Sequence, residues 1–322
     1  MLNFSFPFKA GRPPCCSQDR RWLAQNLRVP LFMPRRCPSK AARCRTSGKI
    51  IRYGRFFRSS DGKWIQRFKC TTCGLHFSQA TNSPCYGQNK RYLNREIFKH
   101  LASGESQRRI AFLLHTHRKT VARKLAFLGG RARLYNFRVR RSRPLVHSMQ
   151  FDDLETIEHT KLKPLSVTLA VEKDTRHIIG FEVSRMPAKG LIAKRSIKKY
   201  GYRKEERADG RDRLFRRIKS VVSPFAAIES DENPHYPADV ARHFATCSHI
   251  TTKGQRGAST GQGELKRVEF DPLFSLNHTC AMVRANINRL FRKTWCTTKK
   301  SQPLIDHLEI YTAFHNRELL KN

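Results

Sequence analysis

The chain has 322 residues, with 64 Lys+Arg against 25 Asp+Glu and a formal net charge of +39. At about 100–200 residues per domain, that length fits two or three domains, and 39% hydrophobic residues exclude a chain too polar to bury a core. Ten cysteines are too sparse for a disulfide mini-scaffold, and no apolar run approaches the ~20 residues of a membrane span.

The charge is uneven. Residues 1–150 carry 33 Lys+Arg and only four acids, Asp19, Asp61, Glu96 and Glu105; the remainder carries 31 and 21. A segment so short of acids repels itself unless a polyanion neutralises it. Nucleic acid is the expected polyanion, because neutralising phosphates releases counterions and gives sequence-independent affinity.

The opening MLNFSFPF lacks the basic start, long apolar centre and small-residue cleavage site of a signal peptide, so a cytoplasmic, nucleoid-associated protein is expected. Residues 1–34 carry no pattern and are expected to be a disordered extension. Residues 35–88 read as a zinc ribbon. Cys70-Thr-Thr-Cys73 places two thiols on one metal, and Cys37 and Cys44, 25 residues upstream, complete a tetrahedron. Ile50–Phe57 and Trp64–Lys69 read as strands joined by an Asp61-Gly62 turn. The six residues between Cys37 and Cys44 make a wide gap, so Cys15, Cys16 or Cys85 remain alternative ligands.

Residues 89–128 read as a helix-turn-helix. Arg95–Ala102 and Glu105–Leu114 are followed by Thr116 as an N-cap for Arg118–Leu128, whose Val121, Leu125 and Leu128 share a face. Arg118, Lys119, Arg123 and Lys124 on that last helix suit a groove-entering role. Gly129–Pro144, with six arginines, reads as a basic linker.

From residue 145 the pattern is α/β. Leu145–Leu154, Leu165–Val171 and His177–Arg185 read as strands in a meander. A basic helical stretch (188–220), a buried strand Phe225–Ser230, a helix Ala238–Phe244 and a strand His249–Thr252 follow. A Gly-rich loop (253–263) then leads to long helices over Phe274–Trp295 and Pro303–Glu318. That order predicts an RNase H-like α/β domain over 145–322. Phosphoryl transfer on DNA calls for divalent cations held by carboxylates. Asp152, in a strand among apolar neighbours, and Asp231, ending a buried strand, are the candidates.

The run from Asp271 through Asn277-His278, Arg284, Arg289 and Arg292-Lys293-Thr294-Trp295-Cys296 to Lys299 resembles the C-terminal signature of bacterial insertion-sequence transposases. The closest group is the insertion-sequence-one family, over roughly residues 35–320. The resemblance implies a zinc finger and helix-turn-helix that bind terminal inverted repeats, followed by a DDE nuclease using Mg2+ or Mn2+. Strand hydrolysis would then be followed by attack of the freed 3′-hydroxyl on target DNA, with at least a dimer on double-stranded DNA. It matches Asp152 and Asp231 to the first two catalytic aspartates. The third, a glutamate in the family, falls here on Asn277. Helical periodicity agrees, since Leu276, Cys280, Val283, Ile287 and Leu290 form a packed face with Asn277 at its edge. Asn277 or His278, or an acid among Glu264, Glu269 and Asp271, are the candidates for that place. Arg284, Arg289, Arg292 and Lys293 are candidate phosphate contacts. Trp295 and Cys296 read as packing residues, and His307 and His315 as structural or surface histidines. The rival expectation is a non-catalytic DNA-binding repressor or an inactive transposase remnant.

Overall fold

The computed structural model describes residues 37–39, 44, 49–59, 62–81, 83–253, 271–291 and 295–321. Residues 1–34, Cys15, Cys16, Glu264, Glu269, Arg292 and Lys293 therefore lie outside the described residues. The chain divides into two compact units, 1–95 and 96–322.

The first unit is a three-stranded antiparallel sheet, β1 (Ile50–Arg58), β2 (Lys63–Cys70) and β3 (His76–Ser78), in that order. Its strands are rich in aromatic and β-branched residues, which favour a pleated surface. The β1–β2 register shifts between Arg52 and Arg55. Gly54 sits inside that bulge at φ 72°, a conformation open to glycine at little cost. Alternation turns Phe68, Cys70 and Phe77 inward, where they pack with Ile50, Cys37 and Cys44.

The second unit is mixed α/β. It opens with α1 (Leu93–Ala102), whose first residues precede the boundary, then α2 (Gln107–Leu113) and α3 (Arg118–Ser142). Ser106 caps α2 by accepting the Arg109 N–H at 3.2 Å. The tight turn before α3 passes through His115 at φ 44°. The N-cap of α3 is His117, whose Nδ1 accepts the Lys119 N–H at 3.1 Å, rather than Thr116.

The expected basic linker over 129–144 is helix instead. α3 runs unbroken for 25 residues to Ser142. Gly129-Gly130 looked like a helix stop, but Gly129 serves close packing. A Cβ placed there would lie 2.5 Å from the Cβ of Asp306 on α8 (Ser301–Glu318). The glycine lets the two helices touch, and polar groups hold them together. Asn136 Nδ2 donates to Glu309 Oε2 at 2.7 Å, and Arg133 bonds Asp306 at 3.3 Å and Glu309 at 3.4 Å. His307 on α8 meets the Leu101 carbonyl of α1 at 2.6 Å. Apart from the first residues of α1, the three N-terminal helices thus belong to the larger unit.

The sheet contains β4 (Val146–Ile157), β5 (Pro164–Glu172), β6 (Ile178–Arg185), β7 (Val222–Asp231) and β8 (Ser248–Thr252), in the order β6-β5-β4-β7-β8. β6, β5 and β4 pair antiparallel, and β4, β7 and β8 pair parallel. The Glu172–Asp174 turn joins β5 to β6, with Asp174 at φ 67°. Between β6 and β7 lie α4 (Ala193–Tyr200) and α5 (Arg207–Ile218); α6 (Tyr236–His243) joins β7 to β8. One core gathers Phe151, Leu214, Phe215, Ile218, Tyr236 and Val240. The other gathers Leu154, Leu165, Leu169 and Leu308 with Leu276 and Val283 of α7 (Phe274–Asn286). Strand alternation therefore sends successive β4 side chains to different helix layers.

α7 stops well short of Trp295. Asn286 Nδ2 folds back on the Met282 carbonyl at 2.9 Å, and Ile287 turns extended and buries completely. A 3-10 turn over Asn288–Leu290 follows. Trp295 is 76% exposed, so it does not pack as expected. His307 and His315 are buried and bond backbone carbonyls, His315 that of Arg176 at 2.9 Å. Burial pushes the His307 pKa down to about 4, so it is a neutral structural group. No helix among the described residues is long and apolar enough to cross a membrane.

Candidate functional site

Two sites emerge, one in each unit. In the first, Cys37, Cys44, Cys70 and Cys73 bring their sulfurs within 4.8 Å of one another. Cys37 and Cys73 Sγ are 3.7 Å apart, matching the edge of about 3.8 Å expected of a tetrahedron with ~2.3 Å zinc–sulfur bonds. The Cys70–Cys73 knuckle is fixed by the Gly74 N–H bonding the Cys70 carbonyl at 2.8 Å, with Gly74 at φ 70°. The backbone N–H of Cys73, then that of Thr72, pull the Cys70 thiol down to about 6 against the effect of burial. Burial pushes Cys44 up to about 12 and also raises Cys37. Buried thiols of this kind are held as thiolates by a cation. The four could hold a metal such as zinc. Cys85 stands outside the group, its sulfur accepting from Asn94 Nδ2 at 3.6 Å.

The second site sits on β4 and β7. Gln150 pairs with Glu229 in the parallel register, so two residues further on Asp152 stands beside Asp231. Burial first, then the Asp231 charge, raise the Asp152 pKa above the carboxylate range, opposed by hydrogen bonds. Those bonds come from the Asp153 N–H at 2.6 Å and the Tyr236 hydroxyl at 3.1 Å, both to Oδ1. Tyr236 is fully buried, and its ring centroid lies 4.8 Å from that of Phe151. Asp231 Oδ1 accepts the Asn233 N–H at 3.1 Å.

A polar network lies behind the pair. Gln150 Nε2 donates to Glu229 Oε2 at 2.7 Å and to the Pro272 carbonyl at 2.8 Å; its Oε1 accepts the Leu276 N–H at 3.0 Å. Lys173 Nζ reaches Glu229 Oε1 at 2.5 Å. This network ties the start of α7 to the two strands that carry the aspartates. Asp153 faces the other way. It accepts from Thr168 and, at 3.0 Å, from Arg211 Nη1, while Arg211 Nε reaches Asp239 at 2.6 Å. That acid locks β4 to α5 and α6 and is not presented beside Asp152.

Among the described candidates for the third position, Asn277, Asp271 and His278 are engaged with other partners. Asn277 is exposed and donates from Nδ2 to Asp271 Oδ2 at 2.9 Å. His278 Nδ1 accepts from Arg176 at 3.4 Å, and burial followed by the Arg176 charge lowers its pKa. On α7, Cys280, one turn on, feels Asp152. Burial first, then the Asp152 charge, push its thiol up to about 12. Among the described residues, only the four cysteines gather three or more potential metal ligands so closely. The carboxylate site itself offers two.

The basic residues divide. Arg118, Lys119 and Arg123 are exposed on α3. Lys124 is 4% exposed and lies on the buried Val121–Leu125–Leu128 face, so it cannot enter a groove. Arg284 is half-buried on α7. Arg289 falls beyond that helix and turns inward to Thr298 Oγ1 at 3.5 Å, with burial lowering its pKa.

Sequence reasoning missed Gln150, Lys173, Glu229, Tyr236 and Cys280. The first and third carried a signal: Gln150/Asp152 and Glu229/Asp231 are spaced two apart on neighbouring strands, which puts all four on one face. No protein-family model and no curated protein matches the chain.

Proposed function

We propose that this protein is a DNA transposase of the DDE type, with an RNase H-like domain that cleaves and joins DNA at the ends of an insertion sequence. The observation that carries the reading is the pair Asp152–Asp231 on adjacent parallel strands, flanked by a docked helix. The sheet order, with three antiparallel strands followed by two parallel ones, is the order that an RNase H-like domain requires. The +39 charge and exposed Arg118, Lys119 and Arg123 supply affinity for duplex DNA.

The two carboxylates suit a divalent cation, because their mutual repulsion and the burial of Asp152 both favour positive charge between them. Asp152 and Asp231 would hold a magnesium or manganese ion there, and that ion would supply positive charge at the scissile phosphate and activate water. Tyr236 and the Asp153 N–H fix Asp152 through Oδ1 and keep Oδ2 for the cation. Gln150 and Glu229 hold α7 at a set distance from both strands.

A second reading, an inactive remnant that still binds DNA, is favoured by one observation: Asn277 is engaged by Asp271 and carries no charge. One experiment separates the two. The zinc-loaded full chain is mixed with a plasmid carrying its gene and flanking DNA, with Mg2+ or Mn2+. The transposase reading expects nicks at the element's ends, lost in Asp152→Ala and Asp231→Ala while DNA affinity persists. Binding by the wild-type chain without nicking in either metal establishes the remnant.

A further inference from the structure

The ribbon sheet has two unlike faces. Phe68, Cys70 and Phe77 point to the cysteines, so alternation sends Arg67, Lys69 and His76 to the opposite face, together with Ile51 and Tyr53 of β1. Much of that face is open: Tyr53 is 49% and Ile51 38% exposed, and Arg67 and His76 are exposed, while Ile65 on the same face is buried. Its rings are already arranged. Tyr53 meets His76 edge-on with centroids 4.6 Å apart, Lys69 Nζ lies 5.7 Å from the Tyr53 centroid, and Arg67 Cζ lies 4.9 Å over Phe56. At the far end of the hairpin Phe57 and Trp64 form another exposed pair at 5.6 Å. The sequence from 49 to 95 holds a single acid, Asp61.

We infer that this face is a binding platform for single-stranded DNA, with Tyr53 and His76 as the stacking surface for unpaired bases. Cations held against aromatic rings stand ready for phosphates, and the exposed aromatic surface of Tyr53 and His76 is of the kind on which unpaired bases stack. A duplex shields its base faces by stacking, so exposed rings find bases to stack on where the DNA is unpaired. No acid stands among the described residues of the face, which suits a polyanion and disfavours a basic protein partner. The inference is independent of the nuclease reading. It assigns the ribbon to unpaired DNA and leaves duplex binding to the helices of the larger unit.

The test uses the full chain bearing Asp152→Ala, so that cleavage plays no part, loaded with zinc. Fluorescence anisotropy measures its binding to labelled oligothymidylate, oligouridylate and a hairpin duplex of equal charge. Tyr53→Ala is expected to weaken oligothymidylate binding about tenfold and leave the duplex within about twofold, with zinc content unchanged. Tyr53→Phe restores the parent affinity. Arg67→Ala weakens binding with a shallower salt dependence, by about one unit in the log–log slope. Should Tyr53→Ala release zinc, His76→Ala supplies the same comparison. Equal oligothymidylate binding by variant and parent, a parallel loss on duplex, or tighter binding of oligouridylate than oligothymidylate overturns the assignment.

Discussion

The two units reach stability by different routes. The ribbon's buried cluster is six residues, three of them cysteines, beside a first strand, β1, most of whose residues are exposed. The larger unit packs two apolar clusters against opposite faces of a five-stranded sheet, and its interior strand β5 is buried along almost its whole length. A small domain with little to bury needs a metal or another staple, whereas a sheet covered on both faces does not. On the proposed reading, one chain joins a unit whose fold would depend on its metal to a unit whose chemistry would rest on its fold.

The sharpest way to separate them is chelation. Structural zinc contributes about 10–16 kcal/mol in small domains. Its removal, or Cys70→Ser, is therefore expected to abolish amide protection over β1–β3 while β4 and β5 keep theirs, as read by hydrogen exchange. Equal loss in both units would break the comparison. Within the larger unit, Arg211→Ala strands Asp153 and Asp239 without their shared cation. Breaking a buried ion pair this way costs about 3–5 kcal/mol, measurable by urea denaturation of that unit, with zinc binding untouched.

A smaller effect tests the helix crossing. Gly129→Val forces α3 from Asp306 and is expected to cost about 1–3 kcal/mol. Gly130→Ala, with nothing within 4 Å of the added carbon, is expected to gain about 0.5–1 kcal/mol from helix propensity. Calorimetry of the two neighbours would show opposite signs.

The smallest effect concerns Asp152. Its folded pKa is raised, so the protonated form favours the fold, and that stabilisation is present at low pH and lost as pH rises through the folded value. At neutral pH the charge is a burden, and Asp152→Asn in metal-free protein is expected to raise the larger unit's Tm by about 2–4 °C. The gain shrinks as pH falls toward the ordinary carboxylate range. A lower Tm for the variant at neutral pH would show that the carboxylate is not strained as its surroundings imply.

The element order was legible because strands alternate and helices repeat locally. Asp152 and Asp231 stood out as acids in apolar strands, and the four cysteines as a spaced set. What escaped depended on partners distant in sequence. Gly129-Gly130 and six arginines look like a linker until α8 lies across them. Lys124 has the charge of a phosphate contact, but its place beside Val121 and Leu125 on the helix turns it inward. Helical spacing put Asn277 at the edge of the packed face, and it is exposed there. Spacing could not reveal that Asp271, six residues earlier, engages it, or that Cys280 feels Asp152.

The continuity of α3 has a mechanical consequence. At about 1.5 Å per residue its 25 residues form a rod about 37 Å long. One end displays Arg118 and Lys119, and near the other Arg140 grips the Ile179 carbonyl on the outer strand at 3.2 Å. Load applied at the exposed tip is therefore delivered to the border of the sheet without a joint to absorb it, and the tip and the strands turn together as one lever.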